Sequence, residues 1–313
     1  MSAEGRPPGR TASAQPTPAD HPEGALMSTN TIVPAATDSF SASPRAPRTG
    51  DDRPGRRPSA LRRFGALVRA EATILLRNKT AMFTAVLMPP MMAVMFLQLG
   101  QRSGALGSVL VMVLLGTGLL FVVYYTMVTS LVARREQLVL KRLRTGEATT
   151  LEILLAPAVP LWALLTIETG MGVALASAAL GAVPVHPWAL VPAVVLGSAA
   201  WTALAVWSAN FTRTVESAQL TTMPAILITL LFSGFSLPLD AFPDVVQRLA
   251  HALPLTPVVD LVKLAFTGAG TAGTTLSGVD AALGALGMVI PLVAWTAAAL
   301  WEGVRGFRWE PRS

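Results

Sequence analysis

A single acidic residue interrupts an otherwise apolar part of the chain. Glu168 lies in the stretch LWALLTIETGMGV, near the middle of a run long enough to cross a bilayer. A charge at that depth costs at least ~2.5–3.5 kcal/mol, so an intramembrane carboxylate is a candidate functional group. Two interpretations stay open. Either a neutral Glu168 hydrogen-bonds to Thr166, to Thr169 or across a subunit interface, or its carboxylate faces a central cavity and pairs with a cationic group of a bound molecule.

A second concentration of chemistry is the charged segment RREQLVLKRLRTGEATTLEILL, residues 134–155. Its first half predicts a helix over residues 135–144 that stops at Gly146, since glycine commonly ends helices. Thr149 and Glu152 then have the S/T-x-x-E spacing of a capping box, which opens a new helix. The segment is either a basic hairpin that only fixes membrane orientation, or a docking element that transmits movement from a soluble partner.

The sequence lacks the usual catalytic motifs. It has no cysteine, and its three histidines are scattered, which excludes thiol chemistry and argues against a histidine metal site. No Gly-Lys pair exists, so there is no phosphate-binding loop of the G-x-x-x-x-G-K-[ST] type. Neither a G-x-S-x-G nor an H-E-x-x-H motif occurs. We therefore predict that the chain is not an enzyme and holds no cofactor.

These residues must be positioned by membrane helices. The chain is 52% hydrophobic and 13% charged, whereas a soluble domain carries about 25% charged residues. Apolar runs long enough to span a bilayer, about 20 residues each, occur six times, at roughly 81–99, 108–133, 153–183, 188–211, 220–239 and 281–301. The sequence thus predicts an all-α polytopic membrane protein with six transmembrane helices.

The basic residues of the short loops predict the orientation of these helices. Arg and Lys cluster before the first run, after the second and after the last, whereas the loops on the other side hold few. Both termini are therefore expected in the cytoplasm, with the protein in the cell (plasma) membrane. Topology also accounts for the net charge of +6, and no nucleic-acid partner is expected.

The region before the first run divides in two. Residues 1–58 are rich in Pro, Ser, Thr, Ala, Arg and Gly, a composition typical of disorder, and are expected to form a cytoplasmic tail. Residues 59–80 predict an amphipathic elbow helix at the membrane interface, with Ser59 as its N-cap. This helix either only anchors the chain to lipid or also braces a cytoplasmic partner. Residues 81–309 are expected to form the transmembrane domain.

The stretch LLFSGFSLPLDAFPDVVQRLAHALPLTP, residues 230–257, contains several Gly and Pro residues yet stays apolar. Helix breaks at membrane depth are tolerated only where the backbone is buried in protein or lines a cavity. We therefore predict two short helices, roughly 244–252 and 257–266, that form a re-entrant pair between the fifth and sixth spans.

Four stretches together resemble a known family: RNKTAMFTAVLMPPMMAVMFL, RREQLVLKRLRTGEATTLEILLA, VESAQLTTMPAILITLLFSGFSLPLDAFP and LAHALPLTPVVDLVKLAFTG. In that order they resemble the first span, the charged loop with its K-R-L-R-T core, the fifth span and the external helix of the permease subunit of type-2 ABC exporters. Daunorubicin-type drug exporters are one group of this family. The order and spacing of the stretches, over most of residues 61–308, carry the resemblance. GEAT after Arg144 departs from the Pro-containing turn of many relatives.

The resemblance implies a permease that exports an amphipathic, drug- or antibiotic-like small molecule, driven by a separate P-loop ATPase subunit that carries ATP and Mg²⁺. It also implies a homodimer of permeases surrounded by membrane lipid. The candidate substrate-pathway residues are Glu168, Thr166 and Thr169. The candidates for coupling to the ATPase are Arg135, Glu136, Lys141, Arg142, Arg144 and Glu147. Two alternatives stay open: export of a lipid-linked glycan, and proton-coupled secondary transport through Glu168.

Overall fold

The computed structural model describes residues 59–98, 106–144, 148–237, 239–271, 273–307 and 309. Over these residues the chain forms α-helices and no strand. The helices are α1 (Ala60–Arg77), α2 (Lys79–Gln98), α3 (Leu106–Thr117), α4 (Thr126–Glu136), α5 (Val139–Arg144), α6 (Thr150–Leu155), α7 (Ala158–Leu180), α8 (Leu190–Ala209), α9 (Val215–Phe232), α10 (Asp244–His251), α11 (Thr256–Thr267) and α12 (Gly278–Arg305). A π-helical segment, Gly118–Tyr125, joins α3 to α4, and short 3₁₀ turns lie at Pro187–Ala189 and Leu239–Ala241.

Five helical stretches in the described part of the chain are long and apolar enough to cross a membrane: Leu106–Glu136, Thr150–Leu180, Pro187–Ala209, Val215–Phe232 and Gly278–Arg305. They correspond to the second to sixth predicted runs, so the predicted class, a polytopic all-α membrane protein, is confirmed. The predicted first run forms helix α2, which contains Pro89 and Pro90. Its described apolar stretch, Ala85–Met95, is shorter than a span, and a first span there stays a prediction.

Helices α8 and α12 run parallel. His186, just before α8, contacts the carbonyl oxygen of Leu276, just before α12, through Nε2 at 3.1 Å. At the other end, Asn210 follows α8 and donates its side-chain amide to the carbonyl oxygen of Gly303 at 2.9 Å. We call the end of the bundle that holds Asn210, Arg134 and Arg135 the basic end, and the other the opposite end. Since α9 returns after α8 through a short turn, it finishes at the opposite end, where α12 begins.

The pair α10 and α11 therefore enters and leaves at the opposite end. The two helices meet at an angle of 89°, and their bounds agree closely with the predicted ones. Helix α11 is almost entirely buried, and the absence of a side chain at Gly197 lets Leu119 and Val258 approach that point of α8. The break between the two helices, at Pro254 and Leu255, is buried in protein, as a helix break at membrane depth requires. A re-entrant position of the pair in the membrane stays a prediction.

Helix α1 follows the predicted amphipathic segment closely. Ser59 is the N-cap residue, as predicted, but its side chain makes no capping hydrogen bond. Leu61 in the first turn is largely exposed. The inward face carries Phe64, Val68 and, unexpectedly, a buried Glu71. An interfacial elbow role for this helix stays a prediction, and the predicted tail 1–58 lies outside the described residues.

Candidate coupling site and buried carboxylate

The charged segment bends directly after α4. The predicted continuous helix over residues 135–144 is wrong, because α4 ends at Glu136 and α5 starts at Val139. Between them Leu138 has φ +60°, the one described non-glycine residue in the left-handed region. No glycine marks this bend, so it could not be predicted from the local residue pattern. The predicted stop at Gly146 lies outside the described residues.

Arg135 lies inside the protein rather than on the surface of the hairpin. Its side chain is 1% exposed, and its guanidinium donates to the carbonyl oxygens of Ala209 at 2.9 Å, Thr212 and Arg213 at 3.3 Å. The last carbonyls of a helix have no helical donor and carry the negative end of its dipole. Arg135 therefore holds the C-terminal end of α8. Our expectation of Arg135 as a surface docking residue needs correction on this point.

Glu136 completes a clamp on the next connection. Its Oε1 accepts a hydrogen bond from the backbone N–H of Val215, the first residue of α9, at 3.3 Å. The positive end of the α9 dipole favours this carboxylate, as the negative end of α8 favours Arg135. The two adjacent residues, which we call the α4 clamp, thus fasten the end of α4 to both sides of the α8–α9 turn.

The remaining coupling candidates are less completely described. Arg142 is exposed on α5. Lys141 and Arg144 also belong to α5, but the structure does not describe their side chains, and Glu147 lies outside the described residues. Of the predicted set, the structure therefore brings only Arg135 and Glu136 together.

The predicted capping box at the start of α6 is confirmed. Thr149 Oγ1 accepts from the backbone N–H of Glu152 at 3.2 Å, and the Glu152 carboxylate accepts from the backbone N–H of Thr149 at 2.7 Å. Because both bonds are local, the S/T-x-x-E spacing was sufficient to predict them. The box fixes where the chain re-enters the helical bundle after the charged segment.

An ion pair that the sequence analysis missed lies beside the α4 clamp. Arg134 donates through both terminal nitrogens to the two carboxylate oxygens of Glu71, and both side chains are largely buried. This bidentate pair joins α1 to α4, next to the residues that hold α8 and α9. The available signal was Glu71 itself, a carboxylate at helical spacing on the apolar stripe of Phe64, Val68 and Leu75.

Glu168 is buried within the chain. Its side chain is 7% exposed, and neither carboxylate oxygen has a hydrogen-bond partner among the described residues. Its Oε2 lies close to Gly118, where a Cβ would stand 3.8 Å from it. Gly118 begins the π-helical segment, a rare conformation that often marks functional sites.

Neither threonine supplies the hydrogen bond expected for Glu168. Thr166 is exposed and donates to the carbonyl oxygen of Trp162 at 2.7 Å. Thr169 is buried, and its hydroxyl lacks a partner in the described part of the chain. The same holds on α8 for the hydroxyl of Ser198 and the indole N–H of Trp201. Buried polar groups with unmet hydrogen bonds therefore gather on α7 and α8.

The fold and these sites define a multi-pass helical membrane protein whose charged end is fastened to its spans. The family model described as ABC-2 type transporter matches residues 62–267, from the first turn of α1 to the last residue of α11. The chain belongs to this family and is a permease subunit of an ABC transporter. Membership implies association with an ABC ATPase subunit. No curated protein matches the chain.

Proposed function

We propose that this chain is the permease of an ATP-driven exporter that moves an amphipathic, drug- or antibiotic-like molecule out of the cell. It would act as a homodimer in the plasma membrane, with both termini and the basic end in the cytoplasm, where a separate ATPase binds ATP and Mg²⁺ and performs the catalysis. The basic end fits this orientation because cytoplasmic loops carry the excess of Arg and Lys.

The observation that carries this proposal is the α4 clamp. A soluble partner bound to the exposed side of α5 would push on α4, and Arg135 and Glu136 would carry that push to the α8–α9 turn. Helices α8 and α9 would then move together with α4 and α5. Such a direct mechanical connection is what an ATPase needs if binding of nucleotide is to shift the permease between two states.

A pull-down from membranes tests the partner. We expect the affinity-tagged chain to recover a P-loop ATPase in stoichiometric amount, identified by mass spectrometry. Arg142→Glu on the exposed side of α5 should reduce recovery at least tenfold, because it would place a negative charge against the acidic surface that we expect the ATPase to dock with. Arg248→Glu, an equally exposed arginine on α10 at the opposite end, is the matched control and should leave recovery unchanged. Equal loss in both variants, or no ATPase at all, would contradict the proposal.

For the cargo we propose an amphipathic cation that meets Glu168 during transport. Support comes from the carboxylate's lack of a donor among the described residues, since a buried charge needs a cation beside it or becomes neutral. Contact would require α7 to separate from the π-helical segment. Because π-helical turns frequently occur at functional sites, Gly118–Tyr125 is the place we propose for that movement.

Export of paired test compounds tests this assignment. Glu168→Gln keeps the size of the side chain and removes its charge, so efflux of cationic amphiphiles should fall at least tenfold while efflux of neutral analogues stays within twofold. Thr169→Val, a neighbouring buried change on the same helix, should affect both classes alike. Equal loss of cationic and neutral export in Glu168→Gln would show that the residue has a structural role only.

A further inference from the structure

A cavity of about 480 Å³ opens at the basic end, between helix α1 and the end of α4. Five parts of the chain meet there: α1, α4, the start of α5, the α6–α7 junction and the first residue of α9. The described lining residues are Glu71, Ile74, Leu75, Asn78, Thr126, Thr129, Ser130, Ala133, Arg134, Gln137, Val139, Pro157, Pro160, Leu161 and Val215. The cavity volume lies within the range of small-molecule sites, roughly 300–1,000 Å³.

The cavity extends along α4. Its α4 wall runs from Thr126 to Gln137, and a rise of 1.5 Å per residue makes that wall about 16 Å long. Apart from Arg134 and Gln137 at its basic end, this wall has small or hydroxyl-bearing side chains, which leave the space open. The facing wall is apolar, with Ile74 and Leu75 on α1 and Leu161 on α7. The shape and polarity of the cavity therefore suit an amphiphile.

The polar end of the cavity carries one charge of each sign. Glu71 and Arg134 are the charged residues of the described lining, and they form the bidentate pair. A guanidinium has five N–H donors and a carboxylate has about four acceptor positions, so each partner keeps capacity after pairing. An anion would be attracted to Arg134 but repelled by Glu71. A cation would be attracted to Glu71 but repelled by Arg134. A head group that carries both charges close together can pair with Arg134 and Glu71 at the same time.

We propose that this cavity binds a zwitterionic amphiphile by its head group and the adjoining part of its apolar chains. The anionic group of the ligand would lie beside Arg134, its ammonium beside Glu71, and its apolar part against α1 and α7. Ser130 and Gln137 add hydrogen-bonding groups on the α4 wall. Two sources share this chemistry: a phosphatidylethanolamine lipid of the adjacent leaflet, and an amphiphilic cargo. The site does not depend on the proposed export activity, because binding needs neither ATP nor the ATPase.

The bound molecule would act as a bridge between elements. It would touch α1, α4 and α7 beside the ion pair, and Val215 at the start of α9, which the α4 clamp also holds. Filling the cavity would therefore stiffen the connection between α1 and the spans. Since a ligand that binds only the folded state raises the unfolding midpoint, occupancy should be visible as a thermal shift.

Calorimetric titration of the purified full-length chain in a non-ionic detergent tests the proposal. The probes are dihexanoyl-phosphatidylethanolamine, dihexanoyl-phosphatidylglycerol, which is anionic only, and hexylamine, which is cationic only. We expect the zwitterion to bind at least tenfold more tightly than either single-charge probe and to raise the unfolding midpoint. If the anionic lipid binds as tightly as the zwitterion, the head-group assignment is overturned.

Matched variants locate the site. Ser130→Leu fills the cavity from the α4 wall without touching the ion pair and should weaken zwitterion binding at least tenfold. Ala174→Leu adds comparable bulk to the exposed side of α7 and should leave binding unchanged. Unchanged binding in Ser130→Leu overturns the site. If that variant does not fold, the double change Glu71→Gln with Arg134→Gln serves instead, and retention of the tenfold preference for the zwitterion would overturn the proposal.

Competition distinguishes the two sources. An exported amphiphile that carries both an ammonium and an anionic group is titrated against bound dihexanoyl-phosphatidylethanolamine. Displacement in the wild-type chain, absent in Ser130→Leu, assigns the cavity to cargo on its way to the spans. Lack of displacement, with phosphatidylethanolamine co-purifying from native membranes, assigns it to a structural lipid. If neither displacement nor a co-purifying zwitterionic lipid is found, the proposal fails, whatever the outcome of the export and pull-down experiments.

Discussion

At the scale of single residues, the bend after α4 is held in an unfavourable backbone conformation. Leu138 has φ +60°, and a left-handed conformation costs a non-glycine residue roughly 1–2 kcal/mol. Such strain persists where the surroundings determine the backbone. Here those surroundings are the α4 clamp on one side and helix α5 on the other. The bend therefore sets the angle at which α5 leaves the bundle.

Leu138→Gly should relieve this strain. Glycine adopts positive φ freely but is more flexible when unfolded, which costs roughly 0.5–1 kcal/mol, so we expect a small net stabilisation of about 0.5 kcal/mol. Leu138→Val should destabilise by about 1 kcal/mol, because a β-branched residue tolerates this region poorly. Thermal unfolding in detergent measures both.

The control for this prediction is Leu175→Gly, an exposed leucine inside α7. There the same replacement should destabilise the protein by about 1 kcal/mol, as glycine does in helix interiors. If Leu138→Gly is destabilising to the same extent, the bend stores no strain that glycine can relieve.

The residues of the coupling site show which parts of it the sequence could predict. The Thr149–Glu152 box was predictable because both bonds are local. The Glu71–Arg134 pair was not, because 63 positions separate its partners and spacing alone gives no tertiary neighbour. Arg135 looked like a surface charge, since no local pattern indicates that an arginine will meet the carbonyls at the end of a distant helix.

At the scale of elements, the second to sixth apolar spans and the bounds of the α10–α11 pair were predictable and the π-helical segment was not. Apolar run length fixes a span, and Pro and Gly fix the breaks around α10 and α11. By contrast, GLLFVVYY has no residue that forbids an ordinary α-helix. Its wider turn depends on packing against α7, where Gly118 meets Leu165 and Glu168. Only the assembled bundle contains that information.

Gly118→Ala should therefore disturb this contact. A Cβ at Gly118 would overlap Leu165 Cδ1, and forcing an extra methyl into a packed core costs typically about 1–3 kcal/mol. Gly170→Ala is the matched control on α7, because nothing lies within 4 Å of a Cβ at that position. Alanine there should stabilise the helix by roughly 0.5–1 kcal/mol. Thermal unfolding of the two variants gives the comparison, and loss of stability in both would contradict the packing argument.

At the scale of the whole molecule, α9 is a span with a largely uncovered apolar surface and few contacts to the other helices. In its apolar window 22% of residues are buried, compared with 78% for Leu106–Glu136. The window of α12 is equally exposed, but α12 is held along α8 at both ends. Helix α9 packs sparsely on its neighbours. Its outward face also carries Pro224, which lacks the N–H that would pair the carbonyl of Leu220. A second copy of the chain covering this face is consistent with the proposed homodimer.

Single-cysteine cross-linking in membranes tests that arrangement, and the chain has no native cysteine to interfere. In a two-fold dimer a residue near the axis meets its own copy, so Leu227→Cys, on the outward face of α9, should form a disulfide-linked dimer on mild oxidation. Ile290→Cys, similarly exposed on α12, should stay monomeric because that face meets lipid. Cross-linking through Ile290→Cys alone would move the dimer contact to α12. If neither variant forms a cross-linked dimer, lipid covers α9 and the proposed homodimer is contradicted.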